Sequence, residues 1–348
     1  MKVLFVVPRA HPNLSPWMNE LTKLGCRVQI LQYNSSDKTQ VNFGDGVSVT
    51  NYSIYTHEEI LEILRQSDAC IIRSSFNLLT RGIVCSCKNL EINTYIFNAA
   101  PKHVDLGLLF LKSIVRMFLR IIFGYPFKEF TISRGLGKYE IPWMEFIEFN
   151  HDFMRESQYS QNKRLINSKL TIVCVSQIIN PRKRLIWLLE ACSKLSSDIN
   201  LIIITEGSPQ TDRQLRTKNI ILQRIGQMPA NINVTLYESI SNKDVLRIYN
   251  SSDIVALPAS NEPFGYSIFE AISNNCPVVV SNTCGSAYYA VKDSLAYVFK
   301  NNSFSSFESN LYAAIMQRRR NPPGVFLNNS IDNKNLKLKE LLKLDHKK

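Results

Sequence analysis

Residues 258–282 read PASNEPFGYSIFEAISNNCPVVVSN. The break Pro263-Phe264-Gly265 precedes an apolar run with helical spacing, and Val278–Val280 predicts a short buried strand after it. The apolar run before this stretch, Ile254–Leu257, predicts another strand that ends at Pro258. This order of strand, loop, helix and strand is typical of one repeat of a parallel α/β sheet.

Two glutamates in this stretch are candidate binding residues. Glu262 would lie in the loop beyond the strand, where open parallel sheets bind their ligands. Glu270 would lie on the second turn of a helix that begins near Gly265, and it can accept hydrogen bonds from ribose hydroxyls. The backbone N–H groups of Tyr266 and Ser267 would be unpaired at the helix N-terminus, which favours an anion. The alternative is a solvated loop and an ordinary helix surface residue.

The same alternation extends in both directions along the chain. In the second half, strands are predicted at Leu170–Val175, Leu201–Thr205 and Val234–Tyr237, and helices at Arg182–Leu195, Asn242–Asn250 and Phe304–Arg320. In the first half, strands are predicted at Val3–Val7, Arg27–Leu31, Ala69–Ile72 and Thr94–Phe97, with a helix at Trp17–Leu24. We therefore expect two doubly wound α/β domains, 1–165 and 166–325, joined by the polar stretch Asn150–Ser168 and followed by a basic tail, 326–348.

The composition fits a chain with two packed domains. The 348 residues are 45% hydrophobic and 20% charged, which is enough for a core and argues against general disorder. Cys85 and Cys87 have no second Cys/His pair at zinc spacing, so we expect no metal site. The apolar stretch Val3–Val7 is too short for a secretory signal, and we expect a cytoplasmic protein.

The charge balance predicts an anionic partner. The formal net charge is +12 at pH 7, and nucleic acid, acidic lipid and phosphorylated small molecules would all satisfy it. The sequence contains no zinc finger, helix-turn-helix or RNP signature, so nucleic acid is the least supported of the three.

A second candidate site lies at Asn180-Pro181-Arg182-Lys183-Arg184. Asn180 can cap a helix, and Pro181 suits the first helical position. Three cations in the first turn would each cost about 0.3–1 kcal/mol against the helix dipole. A helix that carries this cost is a candidate for anion binding, and the alternative is a basic solvated helix end.

The stretch 258–282 resembles the EX7E motif of GT-B glycosyltransferases, specifically family 4, often labelled glycosyl transferases group 1. Val234–Pro258 resembles the elements that lead into that motif, Cys276–Ser281 its following strand, and Leu201–Gly207 its central strand ending in glycine. The resemblance covers about residues 170–300 well, with the general layout alone in the first half. It implies a GT-B fold, in which two Rossmann-like domains face each other across a cleft.

The resemblance also implies residue roles. Glu270 would hold the ribose of a nucleotide-sugar donor, Glu262 would contact the transferred sugar, and Lys183 would neutralise the departing diphosphate. The remaining predicted donor contacts are Phe264, Gly265, Tyr266, Ser267, Arg182 and Ile240, the last flanking the base.

One departure from the family pattern affects the phosphate site. The family usually has Gly-Arg-Leu before the lysine loop, whereas this chain has Ser176-Gln177-Ile178. The second phosphate-binding cation is therefore missing or is replaced by Arg182 or Arg184.

The resemblance implies a retaining glycosyltransferase that acts on a glycan or lipid-linked acceptor, as in surface polysaccharide biosynthesis. No Asp-x-Asp occurs in the chain, so we expect no metal and no cofactor, with the nucleotide sugar as substrate. Two alternatives stay open: a nucleotide-sugar epimerase, and a catalytically silent protein that binds nucleotide sugar or lipid.

The acceptor side carries weaker signals. His103 is the candidate catalytic residue of the first domain. In Leu106–Phe127, the cations Lys112, Arg116 and Arg120 recur every four residues along an otherwise apolar run. This run is either a helix lying on an anionic membrane surface at the inner face or an ordinary sheet-covering helix with a basic edge.

Overall fold

The structure is a computed structural model that describes residues 1–8, 10, 14–33, 43–73, 78–97, 103–104, 110–111, 113–114, 117, 128–136, 139–142, 144–147 and 169–320. These residues form two compact units. The first unit contains the described residues up to 147 except 134–136, which belong with 169–320 to the second unit. The predicted domain boundary at 165 and the predicted tail 326–348 lie outside the described residues.

The first unit is built on a parallel sheet whose strands are buried apolar runs. Its strands are β1 Lys2–Val7, β2 Arg27–Gln32, β3 Val47–Asn51, β4 Ala69–Arg73, β5 Asn93–Phe97, β7 Lys128–Thr131 and β9 Met144–Phe146, in the order β3-β2-β1-β4-β5-β7-β9. Two short strands, β6 His103–Val104 and β8 Tyr139–Glu140, form a separate antiparallel pair. The described helices of this unit are α1 Ser15–Lys23, α2 His57–Arg65 and α3 Leu78–Asn89.

Local sequence explains where these elements begin. The hydroxyl of Thr56 accepts a hydrogen bond from Glu59 N, while Glu59 Oε2 accepts one from Thr56 N at 2.7 Å. This reciprocal capping satisfies donors that a helix start leaves unpaired, and it fixes the first turn of α2. Leu4 and Val6 of β1 and Cys70 and Ile72 of β4 then point into one buried core.

The second unit is also a parallel sheet, with six strands: β10 Leu170–Val175, β11 Ile199–Thr205, β12 Ile232–Glu238, β13 Ile254–Leu257, β14 Val278–Ser281 and β15 Ala296–Phe299. Its described helices are α4 Leu185–Ser193, α5 Asp212–Gly226, α6 Asn242–Ser251, α7 Tyr266–Ser273, α8 Ala287–Lys292 and α9 Phe304–Arg320. The strand order is β12-β11-β10-β13-β14-β15. Counted from β10, this is the 3-2-1-4-5-6 order of the Rossmann fold.

The strand order determines where a ligand can bind in the second unit. Chain connections run to one side from β10 and to the other side from β13, and these two strands are neighbours in the sheet. In open α/β sheets, ligands bind at such a reversal of strand order, beyond the carboxyl ends of the two strands. Both candidate segments of the sequence, 176–184 and 258–265, are the loops that follow these two strands.

Most predicted elements are confirmed, and one is wrong in its form. The strands β10 and β13 and the helix α9 have the predicted bounds. The elements that were not predicted are β3, β6, β7, β8, β9, β15, α2, α3, α5 and α8. The predicted helix Arg182–Leu195 is two pieces: a 3-10 turn at Pro181–Lys183, and α4, which begins only at Leu185.

The break between these two pieces is at Arg184, which adopts a left-handed backbone with φ of 49°. The Arg184 guanidinium lies 4.4 Å from the centre of the Trp187 ring and donates a hydrogen bond to Asn302 Oδ1. These contacts hold the residue in its unusual conformation. The three cations thus do not share one α-helical turn, and the dipole cost expected from the sequence does not apply to them.

The stretch Leu106–Phe127 is described only in part. Its described side chains Phe110, Leu111 and Met117 are exposed, whereas Lys112, Arg116 and Arg120 lie outside the described residues. None of the helices that the structure describes has the length and the hydropathy that crossing a membrane requires.

A buried ion pair joins α9 to the centre of the second sheet. Arg318 Nε donates to Asp253 Oδ1 at 3.0 Å, and Asp253 Oδ2 accepts from Thr171 N at 2.7 Å at the start of β10. The two charged side chains are only 9% and 10% exposed. Such a pair contributes little net stability, but removing one partner costs the other a charged hydrogen bond at a buried position.

We therefore expect Arg318→Met to lower the free energy of unfolding by about 1.5–3 kcal/mol, because the buried Asp253 carboxylate would lose the charged hydrogen bond from Arg318. Urea denaturation measures this change. The control is Arg247→Met, which removes an exposed ion pair with Asp244 and should cost under about 1 kcal/mol. Equal losses in both variants would contradict the prediction.

Candidate functional site

The candidate site is built on two backbone loops that are bonded to each other. The carbonyl of Arg182, in the loop after β10, accepts hydrogen bonds from Ser260 N at 2.9 Å and Ser260 Oγ at 3.2 Å, in the loop after β13. Ile178 N, at the start of the first loop, donates to the Thr205 hydroxyl at 2.9 Å. These contacts place the two loops side by side at the point where the strand order reverses.

Lys183 and Glu262 meet across these two loops. Lys183 Nζ donates a hydrogen bond to Glu262 Oε2, and each side chain is 19% exposed. The charge of Lys183 also affects the pKa values of two buried thiols. Burial raises the pKa of Cys174 and of Cys284 to about 12, and the positive charge of Lys183 opposes this rise at both. The structure thus brings together the two oppositely charged residues that the sequence singled out.

Gly265 allows the second loop to turn directly into α7. Its φ of 81° lies in the left-handed region, and a Cβ there would lie 2.6 Å from Cys284 Sγ and 3.1 Å from Ser286 Oγ. It would also lie 3.3 Å from Glu262 Cγ. A side chain at this position would therefore face both backbone strain and contact with buried atoms.

The loop after β14 donates hydrogen bonds to the backbone carbonyls of this turn. Phe264 O accepts from Ser286 N at 2.7 Å, Gly265 O accepts from Ser286 Oγ at 3.1 Å, and Glu262 O accepts from Gly285 N at 3.2 Å. The first internal hydrogen bond of α7 is Ile268 N to Gly265 O, at 3.0 Å. The N–H groups of Tyr266 and Ser267 precede it, at the positive end of the helix dipole.

A segment from the first half of the sequence completes this support. Arg134 N and Gly135 N donate to Gly285 O at 3.2 and 3.3 Å, and Leu136 N donates to Asn282 O at 3.1 Å. The Arg134 guanidinium lies 4.4 Å from the centre of the Tyr288 ring. Sequence reasoning missed these residues, since neither periodicity nor a motif connects position 134 with position 285.

Glu270 lies on α7 as predicted, with a partly buried side chain. Burial raises its pKa to about 7, and the hydroxyl of Tyr249 partly offsets this rise. Tyr249, on α6, is itself fully buried, and its pKa is raised by burial and by the negative charge of Glu270. Sequence reasoning missed Tyr249, although its spacing of four residues from Val245 predicts a buried helix position.

The other predicted donor contacts have different surroundings. The Phe264 ring is buried against Tyr266 and Phe269, with ring centres 4.7 and 5.2 Å away, so only its backbone is placed to meet a ligand. Ile240 is partly buried in the turn between β12 and α6. Arg182 is exposed, whereas Arg184 is occupied with Trp187 and Asn302.

The remaining predicted residue, His103, lies in the first unit in the two-residue strand β6. Across the residues that the structure describes, no group of three or more His, Cys, Asp or Glu side chains is arranged to hold a metal ion.

The geometry of Gly265 predicts a cost for adding one methyl group. Gly265→Ala should lower the melting temperature, because the left-handed conformation costs about 1–2 kcal/mol for alanine and the Cys284 contact adds to it. Gly226→Ala is the control, since its Cβ would meet nothing within 4 Å. A melting temperature unchanged in both variants would contradict this reading of the turn.

The pKa of Glu270 predicts a pH-dependent contribution to stability. Between its ordinary pKa of 4.5 and its folded value of about 7, the folded protein keeps a proton that the unfolded chain has released. The contribution of Glu270 to the free energy of unfolding should therefore fall as pH rises through this window and then level off.

Urea denaturation of the wild type and of Glu270→Gln, between about pH 5 and about pH 8, measures this effect. The wild type should lose stability relative to the variant as pH rises. Glu308→Gln, on the exposed side of α9, is the control for loss of a carboxylate. A wild-type-to-variant difference that is independent of pH would contradict the prediction.

Comparison with known proteins adds an independent line of evidence. Residues 157–320, just under half of the chain, match the family described as Glycosyl transferases group 1. This match spans every strand and helix of the second unit, from β10 to α9. No protein with curated function matches the chain in sequence.

Solved structures resemble the chain over nearly its full length. A glycosyltransferase from Rickettsia africae ESF-5 is 16% identical, with a TM-score of 0.66 over 98% of both chains. Sucrose-phosphate synthase from Thermosynechococcus elongatus is 12% identical, with a TM-score of 0.65 over 99% of this chain and 94% of the other. HepE from Anabaena, solved with UDP and glucose, is 12% identical, with a TM-score of 0.63 over 92% and 91%. The chain therefore has the GT-B fold, with two Rossmann-like α/β domains.

Proposed function

We propose that the protein is a glycosyltransferase that moves a sugar from a nucleotide-sugar donor onto an acceptor and binds that donor in its second unit. The observation that carries this proposal is the convergence of Lys183, Glu262 and the start of α7 at the reversal of the strand order. The match of residues 157–320 to group 1 glycosyltransferases supports it.

The donor diphosphate would bind between Lys183 and the start of α7. The Tyr266 and Ser267 N–H groups and the helix dipole provide a positive potential for phosphate oxygens. Lys183 adds a full charge on the other side, and exposed Arg182 is the candidate for the second cation.

The nucleoside would extend toward Glu270. An ionised carboxylate accepts hydrogen bonds from both ribose hydroxyls, and Tyr249 beside it favours the ionised form. Ile240 would flank the base, as the family resemblance implies.

In the transfer step, the bond between the anomeric carbon and the diphosphate oxygen breaks, and its electron pair stays on that oxygen. The acceptor hydroxyl oxygen forms the new bond to the anomeric carbon, and its proton passes to the departing diphosphate. Lys183 and the amides of α7 would stabilise the charge that develops on the diphosphate, which is commonly the largest contribution to catalysis. We further propose a hexosyl transfer with retention of configuration that needs no metal, and His103 as a catalytic residue of the first unit.

For the acceptor, we propose a glycan or a lipid-linked glycan of surface polysaccharide biosynthesis. The exposed side chains Phe110, Leu111 and Met117 and the net charge of +12 support contact with an anionic membrane surface. The protein would then act as a peripheral protein on the cytoplasmic side.

A panel of nucleotide sugars tests donor binding, starting with UDP-glucose because HepE was solved with UDP and glucose. One nucleotide class should raise the melting temperature of the wild type, since a ligand at a hundredfold excess over its Kd stabilises by about 2.7 kcal/mol. Glu270→Ala should lose this shift and Glu308→Ala should keep it. Equal shifts in wild type and Glu270→Ala would remove Glu270 from the site.

Turnover separates a transferase from a silent binder. With the donor so identified and a lipid and glycan extract as acceptor, Lys183→Ala should lower kcat by about 10²–10³ with a smaller loss of donor affinity. Release of nucleoside diphosphate measures this. Binding without release in the wild type would contradict the enzymatic proposal, and donor conversion that needs no acceptor would favour an epimerase.

A further inference from the structure

Lys183 and Glu262 have opposite charges, and the proposed function assigns both to one donor. Their ion pair joins the group that would meet the diphosphate with the group that would meet the sugar. At 19% exposure for each side chain, the two charges interact more strongly than an exposed surface pair does. Any anion that takes the ammonium of Lys183 must therefore compete with the carboxylate of Glu262.

The backbone keeps the two side chains within reach of each other. Glu262 O is bound by Gly285 N at 3.2 Å, and the Glu262 side chain lies against Gly265. On the other loop, Arg182 O next to Lys183 is bound by Ser260 N at 2.9 Å. The backbones of the two loops are thus held at a separation at which the carboxylate and the ammonium can pair.

The consequence differs for a nucleotide with a sugar and one without. The hydroxyls of a bound sugar can donate hydrogen bonds to Glu262, which replaces the partner that the carboxylate gives up. A free nucleoside diphosphate offers no donor at this position and brings additional negative charge beside a carboxylate. It must then displace the ion pair between Lys183 and Glu262 and leave the Glu262 carboxylate without a replacement hydrogen-bond donor.

We infer that Glu262 makes this site select sugar-bearing nucleotides against free nucleoside diphosphate, by holding Lys183 in an ion pair that only a bound sugar compensates. This inference rests on the proposed function and adds a specificity role to Glu262. The same carboxylate promotes departure of the diphosphate once the sugar has been transferred, because the hydrogen bonds from the sugar are lost at that step.

The test is Glu262→Gln in the full chain, which removes the charge and keeps the size of the side chain. Isothermal titration gives Kd for three pairs: UDP and UDP-glucose, GDP and GDP-mannose, ADP and ADP-glucose. For the pair that the wild type binds, the variant should bind the diphosphate about tenfold more tightly or better, because one like charge is removed and Lys183 is released. Its affinity for the nucleotide sugar should stay equal or fall.

Two further variants make the result specific. Glu308→Gln removes a carboxylate whose ion pair with Lys194 lies elsewhere on the second unit, and it should leave both affinities unchanged. Adding Lys183→Met to Glu262→Gln should abolish the gain in diphosphate affinity, because the gain depends on the released ammonium. A tighter complex cannot result from damage to the fold, so the expected change also excludes a merely structural role.

The outcomes distinguish the inference from the proposed function. If the wild type binds a nucleotide sugar and Glu270→Ala loses it, while Glu262→Gln leaves the ratio of the two Kd values unchanged, the inference is wrong and the proposed function stands. If Glu262→Gln weakens diphosphate binding, the inference is wrong as well. If the wild type binds none of the six nucleotides, both fail together.

Discussion

The second unit depends on one topological constraint, the reversal of strand order between β10 and β13. Because the chain leaves these neighbouring strands in opposite directions, the two loops at their carboxyl ends form the usual ligand position of such a sheet. The hydrogen bonds from Ser260 to the Arg182 carbonyl then set the distance between the loops. Lys183 and Glu262, each placed by its own loop, meet as a result of that backbone contact.

The environment of the site combines buried apolar packing with a few charges. Cys174 and Cys284, which are close enough for the charge of Lys183 to affect their pKa, are neutral thiols, since burial raises the pKa of each to about 12. Glu270 is different, because its pKa of about 7 leaves it close to half protonated at neutral pH. In the proposed function, a ribose that donates to this carboxylate would favour its ionised form, so nucleotide binding would release a proton.

Sequence reasoning succeeded where burial and local chemistry leave a clear pattern. The apolar runs of β10 and β13 and the break at Gly265 are local features, and each predicted element is confirmed. It failed where tertiary contacts decide. The 3-10 turn ends at Arg184, whose side chain contacts Trp187 and Asn302, the latter more than a hundred residues away in the sequence. The helix α5 was not predicted, because Ile221 is its main buried residue. The effect of Glu270 on the pKa of Tyr249 likewise involves residues on two different helices.

The path of the chain through residues 134–136 affects how the two units can be exchanged between relatives. This segment belongs to the second unit, although strands of the first unit precede and follow it in the sequence. A chimera that joins a foreign amino-terminal half to residues 166–348 would discard the amides that bind Gly285 and Asn282. Gly285 in turn donates to the Glu262 carbonyl, so recombination at a single crossover point would alter the second unit itself. A transplant of the second unit must therefore also carry residues 134–136, which come from the first half of the sequence.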